Sequence, residues 1–172
     1  ILNFSTEKGD TQTTIREKVL SKINTLVNDN LNLGQNYKIA VSYLISEITD
    51  NIVKHSGIKR GWMLIQYYPT TEYLDICIAD NGKTLLGSYK DHNVANIETN
   101  EQAMVAAIKG ISTKDIDRGT GIRTSKAISS LGLQGDFTIF SGTSIYYNNR
   151  VINLNVNWPG TFVALRIKKG VE

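Results

Sequence analysis

A single cysteine in 172 residues excludes a disulfide framework. Cys77 lies in the apolar run Tyr73–Ala79 and reads as a small core residue, so a reducing cytoplasm is the expected compartment. The two prolines both stand in turn signals, Pro69-Thr70-Thr71-Glu72 and Trp158-Pro159-Gly160. No apolar run approaches the ~20 residues of a membrane span, and no signal-peptide pattern opens the chain. The net charge is +3 with scattered lysines and arginines, which leaves no footprint for direct nucleic-acid binding but suits an anionic small ligand. The opening Ile1-Leu2-Asn3-Phe4 has no initiator methionine, so a module of a longer chain, or a chain freed of a tag, is expected. With 41% hydrophobic residues, positions 1–172 suffice for one ordinary domain with a real core.

Hydrophobic periodicity predicts a helix over about 11–31, through Ile15, Val19, Ile23, Leu26 and Val27, and a second over about 36–56, ended by Ser56-Gly57. Two β-rich runs follow, Trp62–Tyr68 and Tyr73–Ala79. A short helix is expected near 98–109 and another after the glycines at 119–121. The last third reads as strands near 136–141, 144–148, 150–157 and 161–168. Helices early and strands late predict an α+β fold: a two-layer sandwich in which an antiparallel or mixed sheet is covered on one face by helices. The stretch from about 82 to 118 is long for a connection in a compact domain and is read as a lid.

The second helix carries Glu47, Asn51 and His55 at i, i+4 and i+8, a polar line through an otherwise apolar cylinder. A buried carboxylate and carboxamide need a partner; hydrated Mg²⁺ carrying phosphates would satisfy both, with Asn51 as oxygen ligand and Glu47 orienting or deprotonating a nucleophile. A polar edge that simply faces water is the alternative. Asp80-Asn81-Gly82 places an acid just past a strand end, where it can accept a hydrogen bond from an exocyclic amine, although Asp-Asn-Gly is also an ordinary turn. Gly119-Thr120-Gly121 opens a helical pattern with amides free to face an anion, and Lys114 and Arg118 stand just before it. It is neither a Walker loop nor a dinucleotide fingerprint. Gly160-Thr161 opens the last strand and by itself is a hairpin turn.

In their order and spacing these boxes resemble the GHKL superfamily of ATP-binding domains, with its Bergerat fold, over roughly 36–168. Glu47 and Asn51 match its Glu-x-x-x-Asn box, Asp80 and Gly82 its adenine box, Gly119 and Gly121 its glycine box, and Gly160-Thr161 its terminal Gly-Thr. The resemblance implies ATP and Mg²⁺ as cofactors. It implies Asn51 as the Mg²⁺ ligand, Asp80 on the adenine amine with Thr161 beside it, the Gly119-Thr120-Gly121 amides around phosphate, and Lys114 reaching the terminal phosphate. Thr84 departs from the family's second adenine-box glycine, and Arg123 stands where many members carry a small or apolar residue.

Function within the superfamily turns on Glu47. Sensor histidine kinases commonly carry asparagine there, whereas a carboxylate suits activation of water or of a hydroxyl. No His-Glu-x-x-Asn-Pro phosphoacceptor segment occurs, and His92 reads as a solvated loop residue. The resemblance is nearest in character to anti-sigma-factor serine kinases, which implies γ-phosphoryl transfer to a partner protein's hydroxyl. The alternatives are the catalytic domain of a larger sensor kinase and a nucleotide-gated interaction module with little turnover. A homodimer through the first helix is a further expectation.

Overall fold

The computed structural model describes residues 2–5, 17, 21, 23, 25, 34–55, 57, 60–111 and 121–169. In chain order they form β1 (Leu2–Ser5), α1 (Gln35–His55), β2 (Arg60–Tyr68), β3 (Tyr73–Ala79), α2 (Leu85–Asp91), α3 (Asn100–Lys109), α4 (Gly121–Ala127), β4 (Asp136–Tyr147) and β5 (Arg150–Lys168); a π-helical turn, Ile128–Gly132, follows α4. The arrangement is α+β. Of the helix predicted over 11–31, Glu17, Ser21, Ile23 and Thr25 are described and helical; the remainder, with the dimer face expected there, lies outside the described residues.

The five strands lie in the order β1-β2-β3-β5-β4, and every pairing is antiparallel. Of the two expected arrangements, the described strands form the antiparallel sheet, and the mixed one is corrected. The reason is local: β2 and β3 are joined by residues 69–72 and β4 and β5 by two residues, connections too short for the crossover a parallel pair requires. The β4–β5 link is Asn148-Asn149, with φ of 47° and 61°, the twin left-handed conformation of a type I′ hairpin turn, which asparagine tolerates.

The strands expected at 136–141 and 144–148 are one strand, as are those at 150–157 and 161–168. They bend rather than break: the register jumps from Gly142↔Trp158 to Ser144↔Asn153, so the extra residues on β5 bulge out.

β3 alternates cleanly, with Leu74, Ile76 and Ile78 buried. They meet Val41, Leu44, Ile45, Ile48 and Ile52 of α1, whose spacing keeps one stripe on the sheet, and Ile139, Leu165 and Ile167 from β4 and β5. Ile23 joins the same cluster. The opposite face of β2 leaves Trp62, Leu64 and Tyr68 partly exposed, so the helices cover one side of the sheet. Among the described residues no helix is long and apolar enough to cross a membrane.

Within the stretch read as a lid, Leu85–Asp91 and Asn100–Lys109 are packed helices, and residues 112–118 lie outside the described residues. α2 is capped by the Thr84 hydroxyl, which accepts from the Gly87 amide at 3.1 Å. α3 opens on a Thr99/Gln102 capping box and closes on Gly110 at φ 83°. Tyr89, Ile97, Ala103, Ala106 and Ala107 make a second small core, to which Ile122 of α4 also packs.

Candidate functional site

The sequence-predicted residues fall into two groups in space. The first surrounds the start of α4. A methyl group on Gly121 would lie 3.0 Å from Glu47 Oε2 and 3.1 Å from Asn51 Nδ2, so α4 begins directly against the polar stripe of α1. Both side chains are half-buried. The Glu47 charge adds to burial in raising the pKa of Tyr43, one turn earlier. Further round the helix Lys54 donates to Asp50 at 3.0 Å, an i,i+4 pair turned toward solvent. α1 ends at His55.

The second group stands at the end of β3. Asp80 continues the inward register of Leu74, Ile76 and Ile78 and is 1% exposed. Its backbone pairs with β5, the amide donating to the Thr161 carbonyl at 2.9 Å, while the Trp158 indole N–H donates to the Asp80 carbonyl at 2.9 Å. Its carboxylate accepts from the Gly82 amide at 2.7 Å on Oδ1 and from the Thr161 amide at 3.3 Å on Oδ2. The Asp-Asn-Gly segment is thus a turn closed by the acid itself.

Burial pushes the Asp80 carboxyl up to about 6; the two amides pull the other way without cancelling it. Among the described residues no cationic side chain contributes to that shift. Each oxygen accepts one amide and keeps a lone pair, so the group retains capacity for a donor. Gly160 makes room for it, since any side chain there would collide with the Asp80 carbonyl and Oδ1.

The two groups share one core. Ile48 and Ile52, each next in sequence to Glu47 and Asn51, pack in the same cluster as Ile78, two residues before Asp80. Thr161 meets Asp80 through its backbone; its hydroxyl lies 3.4 Å from Ser141 Oγ. Lys114, Gly119 and Thr120 lie outside the described residues.

The two departures from the resemblance have local explanations. Thr84 is the cap of α2. Arg123 lays its stem against Gly110, where a Cβ would come within 2.9 Å of Arg123 Cδ, and so places a cation at the C-terminal end of α3. His92 is exposed and ends α2, its Nδ1 2.8 Å from the Ser88 carbonyl.

Among the described residues no group of three or more His, Cys, Asp or Glu side chains could hold a metal ion unaided. Asn51 and Glu47 do place hard oxygen donors together at Gly121. That set fits Mg²⁺ arriving on a phosphate ligand, because Mg²⁺ keeps several waters and takes only one or two protein oxygens. A hollow of about 610 Å³ beside α3, lined by Val94, Ile97, Val105 and Ala106, contains none of the predicted site residues.

Sequence reasoning missed Trp158, which donates to the Asp80 carbonyl, and Ser141, which holds the neighbouring Gly160 carbonyl. Ser141 sits in no recognisable motif and Trp158 only begins the Pro159-Gly160 turn signal; the pairing of β5 with both β3 and β4 brings them there. A scan against protein-family models and a search of curated proteins find no match to this chain.

Proposed function

We propose that this chain is a GHKL-type, Bergerat-fold domain that binds ATP with Mg²⁺ and transfers the γ-phosphoryl group to a hydroxyl of a partner protein. The observation that carries the reading is Asp80: a buried carboxylate with no cation beside it among the described residues, retaining capacity for a hydrogen-bond donor. An exocyclic adenine amine supplies such a donor in a flat apolar ligand. Asn51 would hold Mg²⁺, which when bound neutralises phosphate charge. Glu47 takes the proton from the attacking hydroxyl as its oxygen bonds to the γ-phosphorus and the bond to the β–γ bridging oxygen breaks, leaving ADP.

A second reading, a nucleotide-gated interaction module with slow turnover, is favoured by Thr84. Its capping bond fastens α2 where the family's glycine would allow a looser hinge. The two are separated by incubating the protein with ATP, Mg²⁺ and candidate partners and following phosphate by intact-mass spectrometry. A phosphorylated partner supports the kinase; ATP-dependent partner binding without phosphorylation supports the module.

A further inference from the structure

Ser141 belongs to no motif, yet it is 2% exposed on β4 and its hydroxyl binds in two directions. It donates to the Gly160 carbonyl at 2.7 Å and accepts at 2.9 Å from the amide of Leu85, the first residue of α2. One hydroxyl proton and one lone pair cover both bonds.

The Gly160 carbonyl and the Thr161 amide belong to a single planar peptide group, with C=O and N–H pointing opposite ways. Ser141 grips one side of that plane, and Asp80 Oδ2 accepts the N–H on the other. A donor on the carbonyl oxygen polarises the amide and strengthens its N–H as a donor. The hold matters most here because Gly160 has the freest torsions of any residue type, and steric conflict with Asp80 forbids a stiffer one.

We propose that Ser141 is a positioning residue for the Asp80 site: it fixes the peptide that holds the carboxylate and ties that peptide to the start of α2. Only what the carboxylate receives rests on the nucleotide reading; the hold on the carboxylate does not. Among the described residues, the groups bonded to Asp80 are the Gly82 and Thr161 backbones and the Trp158 indole, none of which titrates near neutrality. The titration of Asp80 therefore reports on those contacts.

The test follows the Asp80 carboxyl carbon by NMR through pH in wild type, Ser141→Ala and Ser141→Thr, with Asp80→Asn assigning the signal. The same proteins are titrated with ATP. In Ser141→Ala the midpoint moves upward from about 6, because a slackened Thr161 amide favours ionisation less, and Ser141→Thr restores it. ATP binding weakens roughly tenfold in the alanine variant and recovers in the threonine variant. An unmoved midpoint in folded Ser141→Ala overturns the proposal, as does unmoved affinity beside a wild type that binds. Should Ser141→Ala fail to fold, Ser141→Cys carries the same test with similar volume and a weak donor. Absence of ATP binding by wild type counts against the nucleotide reading alone, since the titration still decides the role of Ser141.

Discussion

At Asp80, burial outweighs two amide hydrogen bonds and leaves an acid that ionises near 6 instead of near 3.8. A folded-state pKa above the unfolded one means the group favours folding most below about 3.8 and loses that contribution as pH rises through about 6. A ligand that donates to the carboxylate needs the ionised form, so ATP affinity should run the opposite way. We expect the ATP-induced rise in melting temperature to be larger at pH 7.5 than at pH 5, measured by calorimetry; a pH-independent rise would detach Asp80 from the ligand. Glu47→Gln should keep ATP affinity near wild type while lowering phosphoryl transfer ~10²–10⁴-fold, read from single-turnover kinetics. Unimpaired transfer would remove Glu47 as the base. Gly160→Ala should destabilise by about 1–3 kcal/mol in denaturant unfolding, because the obstruction is partly backbone and has little room to yield.

The helices and strands differ in how plainly their sequences announce them. α1 was legible because Val41, Leu44, Ile45, Ile48 and Ile52 keep helical spacing over many turns, and Gly57 takes the expected left-handed conformation at φ 67°. β3 was legible because its alternation is strict. α2 was not: it has seven residues with Gly87 among them, too few for a period to emerge, and its stability comes from Thr84, Ser141 and the Tyr89 packing. The β4–β5 ladder looks fragmented in sequence because the polar and glycine positions near Gly142 and Asn153 mark a bulge, which local pattern does not distinguish from a turn. Thr84→Ala should cost about 1 kcal/mol in unfolding free energy through loss of the cap. It should also speed amide exchange across Leu85–Asp91; unchanged exchange there would mean that the cap does not fasten α2.

On the scale of the whole molecule, the candidate site was legible in its parts and not in its assembly. Helical period placed Glu47 and Asn51 on one stripe, and the β-rich run before Asp80 placed it just past a strand end. The approach of Gly121 to that stripe, the contacts of Trp158 and Gly160 with Asp80, and the hold of Ser141 on Gly160 depend on pairings between residues far apart in sequence. No local pattern encodes those. The fold's central consequence is that one apolar core carries both polar groups, with Ile48, Ile52 and Ile78 packed between their supporting elements. Calorimetric titration with ATP, with and without Mg²⁺, decides whether this fold holds a nucleotide. Saturation at one site that tightens with Mg²⁺ and is lost in Asp80→Asn is expected; no heat and no thermal stabilisation at millimolar ATP would exclude nucleotide binding.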